Sequence, residues 1–544
     1  GADLLIGGLG SDVAIYSSAI SGVIVDLSNP NSNSGDAAGD VFVDIESLFG
    51  SYHDDTLVGD DGTNALDGGY GNDILEGKAG ADDIDGGTGS DTASYASSNA
   101  AVYVNIITNT NSGGHAAGDT LASVENLVGS AFNDNLVGST ANNIIDGGAG
   151  DDTINGSVGD DILIGGAGDD ELSGASGADS MDGGAGSDTA SYFQSSAAVD
   201  VNLLTGATSG ADSIGDTFSS IENLRGSGHD DTLTGDDAAN LLIGGLGADQ
   251  LDGGLGDDEL RGEQGNDWLM GSDGADWMNG GSGIDKVDYS GSSAGVDARI
   301  GVASTSGGQA EGDNLYGIED IKGSAFDDMI VGSQFANTLT GGNGNDQLNG
   351  ALNADILMGG FGDDMLIGGS GSDVLDGGDG VDTANYFSSV NGVAVDLLAG
   401  TATLGDASGD TLLSIENLLG SNNAGDSLTG DAGANRLEGF SGADRIKGGA
   451  GDDVILLGNA DGVRDFAIFN ADGFGNDSVR QFEDGIDLLD LRGLGRSFDD
   501  VTAIQSGLST IITFDGVDGQ ITLTNVSAIN VDADDFLFGS GPAL

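Results

Sequence analysis

The residues best placed to do chemistry are aspartates that recur every nine positions. Written in nines, residues 129–191 read GSAFNDNLV, GSTANNIID, GGAGDDTIN, GSVGDDILI, GGAGDDELS, GASGADSMD and GGAGSDTAS. The sixth place is Asp in six lines and Asn143 in one. The eighth place is apolar and narrows to Ala190 in the last line. From the third line on, the fourth place is glycine, so the consensus is G-G-x-G-x-D-x-U-x with U a large apolar residue. Across the chain this register makes metal-ligand candidates of Asp73, Asp82, Asp91, Asp152, Asp161, Asp170, Asp179, Asp188, Asp249, Asp258, Asp267, Asp276, Asp285, Asp346, Asp355, Asp364, Asp373, Asp382, Asp444 and Asp453. Carboxylate and turn-carbonyl oxygens are hard donors, and an all-oxygen set suits Ca²⁺. A lone G-x-G-x-D would say little. So many copies in one register do not arise by chance.

The elements that position these carboxylates follow from the same nine residues. Glycines at places 1, 2 and 4 permit positive φ and close backbone approach, so the first six residues read as a tight turn. The last three, x-U-x, make a short strand with U on one face and its neighbours on the other. Two nonapeptides then close one coil of a flattened all-β parallel roll, with U inside and glycine-aspartate turns along both edges. One apolar side chain in nine residues is a thin core against about 1–2 kcal/mol of backbone entropy per residue. Stacked carboxylates repel as well. A bound cation answers both deficits.

The nonapeptides come in runs, at residues 1–15, 50–94, 129–191, 226–288, 323–385 and 420–456. Spacers of 34 residues join them, and every spacer opens with tyrosine: Tyr16, Tyr95, Tyr192, Tyr289 and Tyr386. Each spacer carries Gly-Asp near its end, as in Gly118-Asp119, and a glutamate six residues on: Glu46, Glu125, Glu222, Glu319 and Glu416. Seven nonapeptides and one spacer make a long period of 97 residues, the step from Gly129 to Gly226. Val199 to Leu203 alternates as a half-buried strand, and Phe218 to Leu224 reads as a second. Such a spacer either continues the roll with irregular coils or protrudes as a hairpin. The second nonapeptide of each run from residue 50 on has Asn in the sixth place (Asn64, Asn143, Asn240, Asn337, Asn435), which removes a charge and predicts weak binding or none there. Gly1 to Ile6 match places 4 to 9 of a repeat, so we expect a fragment of a longer protein. From residue 457 the repeat stops and bulkier apolar residues enter, among them Phe482, Leu488, Leu489 and Leu491. Ser509 to Phe514 and Gln520 to Thr524 read as a hairpin. Residues 457–544 thus have the composition of the β-rich cap that a solenoid needs at its end.

Composition bounds the function classes. Of 544 residues, 91 are Asp or Glu and 13 are Lys or Arg, for a formal charge of −78. Such acidity excludes nucleic acid as a partner and disfavours anionic membranes. With no cysteine there is neither disulfide nor thiolate metal site. No apolar run is long enough for a transmembrane segment. High charge with 5% aromatic residues points to disorder without metal, and the strict period to order with it.

These motifs resemble the RTX (repeats-in-toxin, haemolysin-type) calcium-binding family of bacterial proteins, for which the nonapeptide is an established signature. The resemblance implies Ca²⁺ held between the turn of one repeat and the turn two repeats later, by the sixth-place aspartates and turn carbonyls. A seven-repeat run then holds five sites at most, or three if only repeats three to seven count, and the chain roughly 10 to 20 ions. The resemblance also implies secretion to the extracellular side of a bacterium, with type I secretion machinery reading a signal in residues 457–544. Two functions fit: a non-enzymatic calcium-binding roll that serves export, stability and surface attachment, or the accessory C-terminal half of a secreted protease, lipase or epimerase. No H-E-x-x-H or G-x-S-x-G is present. His53, His115 and His229 read as turn residues rather than zinc ligands. Trp268 and Trp277, at the seventh place, are outward-facing candidates for a glycan or cell-surface partner, and the spacer tyrosines read as packing wedges.

Overall fold

A computed structural model describes residues 1–301, 305–458, 461–471 and 473–539. It is an all-β parallel roll, and among the described residues there is no α-helix, only short 3-10 turns. The chain forms two compact units, Gly1–Trp268 and Leu269–Leu544.

In the first unit each nonapeptide supplies one strand, and strands pair in parallel with those 18 residues away. Ile154 pairs with Leu172 in one sheet, and Ile145 with Leu163 in the other. The eighth-place side chains fill the space between the sheets: Leu136, Ile154, Leu172 and Ala190 from one, and Leu127, Ile145, Leu163 and Met181 from the other, none more than 1% exposed. Where two glycines follow the strand it lengthens to six residues, as in Ile144–Ala149, Ile162–Ala167 and Ser180–Ala185. Gly148 pairs with Gly166 there, and Gly166 with Gly184. Gly166 has φ +112°, and a Cβ would strike the Gly148 carbonyl, so only glycine carries the ladder into the corner.

The spacers stay within the sheets. In the third, Asp200–Asn202 pairs in parallel with Thr232–Thr234 and antiparallel with Ala207–Ser209. Thr217–Ser219 then stacks on Ser180–Ala185, and Asn223–Arg225 on Thr189–Ser191. A spacer therefore continues the roll and folds a small reversal into it.

The second unit repeats this plan and then changes it. Phe466–Asn470 stacks on Arg445–Lys447, and Asn476–Arg480 on Val454–Leu456, so the segment after the last nonapeptide prolongs both sheets. The second of these then turns antiparallel, with Ser509–Phe514 between Val501–Ser506 and Gln520–Leu523. Apolar burial is denser here: Phe469, Phe474 and Phe514 meet at ring-centroid distances of 5.2 and 6.3 Å, and Leu489, Leu491, Ile512 and Ile521 are buried as well. Aromatic bulk replaces stacked single side chains where the period ends.

Candidate metal centre

The sixth-place aspartates form ladders along the edges of the roll. The Asp152 N–H donates to Oδ1 of Asp170 at 2.7 Å, and the Asp170 N–H to Oδ1 of Asp188 at 2.8 Å. On the opposite edge Asn143 donates to Asp161, and Asp161 to Asp179. Each carboxylate thus satisfies the turn of the preceding coil, which fixes its rotamer. All twenty candidate aspartates occupy this sixth-place turn position and none is more than 2% exposed.

Their second oxygens are the unusual feature. In sixteen of the twenty, all but Asp258, Asp267, Asp276 and Asp285, Oδ2 is buried and has no hydrogen-bond donor. Buried polar atoms are nearly always paired, and an unpaired charged one costs more than a neutral one. The place-1 glycine explains how these atoms are housed. A Cβ added at Gly147 or Gly165 would collide with Oδ2 of Asp152 or Asp170, and with the carbonyl of the equivalent glycine one coil on, Gly165 or Gly183. Carboxylate and carbonyl therefore converge on one side of the glycine. The requirement for glycine at this place is space, not φ.

Electrostatics point the same way. Burial first, then the neighbouring Asp134 and Asp170, push Asp152 up to about 7. Burial, aided by Asp216 and Asp161, raises Asp179 to about 7, and burial with Asp465 and Asp426 raises Asp444 to about 8. Stacked carboxylates in this setting resist ionising unless positive charge is supplied. Among the described residues no three His, Cys, Asp or Glu side chains gather into a metal site of side chains alone. A cation in the ladder must take backbone oxygens, and carboxylate plus carbonyl is the donor set that Ca²⁺ accepts with six to eight ligands. The residues present fit calcium.

In the runs from residue 50 on, the sixth places of the first and second repeats are satisfied from within, whereas Oδ2 of Asp12 in the opening run is buried without a donor. At the first repeat of a run, the Ser227 N–H and hydroxyl both donate to Asp231, and the Ser324 N–H and hydroxyl to Asp328. At the second repeat, the asparagine does what aspartate cannot. Asn240 Nδ2 donates to the Glu222 carbonyl at 2.7 Å, and Asn64, Asn143, Asn337 and Asn435 do the same to Glu46, Glu125, Glu319 and Glu416. The sequence shows only a lost charge at these places. The structure adds a required donor.

Sequence reasoning also passed over ladder members outside the repeats. Spacer aspartates Asp119, Asp216 and Asp410 accept the N–H of Asp82, Asp179 and Asp373, as repeat aspartates do. Their second oxygens accept the spacer tyrosine hydroxyls: Tyr95 to Asp119 at 3.2 Å, Tyr192 to Asp216 at 2.7 Å, Tyr386 to Asp410 at 2.9 Å. The tyrosines are both packed and hydrogen-bonded. Beyond the last run, Asp465 and Asp477 accept the N–H of Asp444 and Asp453, and Asp487 that of Asp465. Each opens an Asp-x-apolar triplet, Asp465-Phe466-Ala467, Asp477-Ser478-Val479 and Asp487-Leu488-Leu489, which is places 6 to 8 without the glycine turn. That triplet was the available signal. His53 and His229 lie in exposed turns, and His115 in a 3-10 turn. Trp268 is 36% exposed, and Trp277 rests against Tyr316 with centroids 5.7 Å apart.

The profile of the RTX calcium-binding nonapeptide repeat matches residues 58–93, 128–163, 155–190, 225–260, 252–287, 322–357, 352–384 and 421–455. This is an RTX repeat protein. Repeats of this kind bind calcium, in keeping with the unpaired oxygens of the ladder. Among solved structures the RTX chain is similar to the extracellular lipase LipA of Serratia marcescens, at 21% identity and a TM-score of 0.16, over 39% of this chain and 40% of the lipase. No curated protein matches it. Among the described residues no helix is long and apolar enough to cross a membrane.

Proposed function

We propose that this RTX chain is a secreted, non-enzymatic calcium-binding roll that folds outside the cell. The observation that carries this reading is the set of sixteen repeat aspartates whose Oδ2 atoms are buried and donorless, such as Asp152, Asp170, Asp346 and Asp364. RTX repeat proteins are typically secreted. With a charge of −78 and one apolar side chain per repeat, the metal-free chain is expanded, which suits passage through a narrow type I exporter. Sites of extracellular grade, with Kd on the order of 10⁻⁴–10⁻³ M, stay empty in the cytosol and fill outside. Asp161, Asp170 and Asp179 and their equivalents, with the glycine carbonyls facing them, are the groups that would hold calcium. Calcium supplies the positive charge that lets these carboxylates ionise while buried. Because the ligands come together only in the coil, binding free energy is folding free energy. Residues 457–544 act as cap and export signal, and the folded roll lends stability and a surface for glycan or cell-surface attachment.

Equilibrium dialysis of the full chain tests the reading. We expect roughly 10 to 20 calcium ions per chain, with magnesium substituting poorly because it holds its water in a smaller octahedral shell. Binding of no calcium at millimolar concentration, or equal binding of magnesium, would overturn it.

A further inference from the structure

The last aspartate of each run but the final one faces a spacer, and what it meets there is not a nonapeptide. The Asp188 N–H donates to Oε2 of Glu222 at 2.9 Å, so the glutamate takes the ladder position of a sixth-place aspartate while its side chain is one carbon longer. Asp188 itself is 0% exposed, and its Oδ2 has no donor. That oxygen and the carbonyl of Ser220 converge on the same side of Gly183, where a Cβ would meet both. Ser220 has φ +51°, in the left-handed region that a residue with a Cβ disfavours. The same arrangement with serine in the left-handed place occurs at two other junctions. Asp91 and Asp382 are 0% exposed with donorless Oδ2 atoms, their N–H groups donate to Glu125 and Glu416, and the facing carbonyls belong to Ser123 and Ser414, at φ +49° and +50°. The equivalent place is Asp44 in the first spacer and Gly317 in the fourth, at φ +52° and +56°, so the left-handed turn that presents this carbonyl recurs whatever the side chain.

We propose that each of these junctions is a further calcium site, formed by Oδ2 of the last aspartate of the run, the carbonyl of the left-handed serine and the carboxylate of the spacer glutamate. The proposal rests on the calcium-binding reading above and extends it to residues outside the nonapeptides. The ligand is a hard divalent cation, because all the donors are oxygen and two are carboxylates. A glutamate whose Oε2 is engaged by the ladder still presents Oε1, and its extra carbon lets the site bridge a coil that lacks the glycine turn. The spacer thereby ties its rejoining strand to the last coil of the run at the point where the period breaks.

The test is bound calcium per full-length chain by equilibrium dialysis, with circular dichroism in saturating calcium to establish folding. Glu222→Gln keeps an acceptor for the Asp188 N–H and removes the charge. It should lose one ion per chain, and Glu125→Gln/Glu222→Gln/Glu416→Gln should lose three, with the wild-type β signal retained. Ser220→Gly, which keeps the carbonyl and relieves the backbone, should lose none. Folded glutamine variants with the wild-type ion count and midpoint would overturn the junction sites while leaving the repeat sites standing. A wild-type chain that binds no calcium would instead overturn the underlying reading. If the triple variant fails to regain its β signal, the single Glu222→Gln decides by loss of one ion or of none.

Discussion

A seven-repeat run and the spacer that follows it present the same ladder with two different endings. In both, a buried carboxylate accepts the N–H of the coil before it: Asp170 from Asp152 in the run, Asp216 from Asp179 at the spacer. In the run, the second oxygen of Asp170 is left without a donor. In the spacer, the second oxygen of Asp216 takes the Tyr192 hydroxyl. Burial is nearly equal, 2% exposed in each case, so burial does not separate the two regions. What separates them is whether the protein completes the carboxylate or leaves it for a cation. On the calcium-binding reading proposed above, calcium dependence is thus placed residue by residue, with the spacer tyrosine–aspartate pairs as the points that need no cation.

The comparison is broken most severely by removing carboxylates from a run. Replacing Asp161, Asp170 and Asp179 together by Ala should raise the calcium midpoint of the run at 129–191 tenfold or more. The run at 323–385 should change much less, since coupling in a solenoid is between neighbouring coils. Hydrogen exchange resolved by peptide during a calcium titration reads both runs at once, and an equal shift in both would contradict local completion.

Removing the donor of a spacer should have a smaller cost of a different kind. Tyr192→Phe leaves the second oxygen of Asp216 buried and unpaired, a loss of about 1–3 kcal/mol that added calcium does not remove. Asn240→Asp sharpens the point. If Asn240 only spares a charge, aspartate there should add a calcium site. If its Nδ2 is needed by the Glu222 carbonyl, the substitution should destabilise by about 1–3 kcal/mol and add no ion. Denaturant unfolding in saturating calcium, with ion counting, separates the two.

The mildest effect is that of pH. Burial and like-charged neighbours raise Asp152, Asp179 and Asp346 to about 7, against about 3.9 in the unfolded chain. A raised carboxylate favours the folded form fully below its unfolded pKa, and that contribution is lost as pH rises through the folded one. In chelator the β signal should therefore be greater at pH 4.5 than at pH 8. In calcium the order reverses, because protons compete for the ligands, and the midpoint should rise as pH falls from 7.5 to 5.5. A chelated chain with identical spectra at the two pH values would show that these carboxylates are not buried without metal.

Much of this was legible in the sequence because the roll is periodic. The nine-residue step specifies a strand, an inward U and a turn, and the 18-residue register of Ile154 with Leu172 follows from two such steps per coil. The twenty aspartates were legible for the same reason. What the period did not reveal was anything set by a partner outside it. Asn240 looks like a weakened aspartate until the Glu222 carbonyl is seen above it, and Tyr192 looks like a wedge until Asp216 is found at its hydroxyl. Asp465 and Asp477 keep the ladder but stand 21 and 24 residues from Asp444 and Asp453, so a search in nines passes over them. The small reversal in the third spacer depends on pairing between Asp200–Asn202 and Ala207–Ser209, where the polar–apolar pattern is weak.

The most direct test of the central claim is far-ultraviolet circular dichroism of the full chain, begun in excess chelator and titrated with calcium. If buried carboxylates in the runs must be completed by cations, the chelated chain at neutral pH should lack most of its β signal. The signal should then return cooperatively as calcium approaches millimolar concentration. A full β signal in excess chelator, unchanged by calcium, would contradict the account.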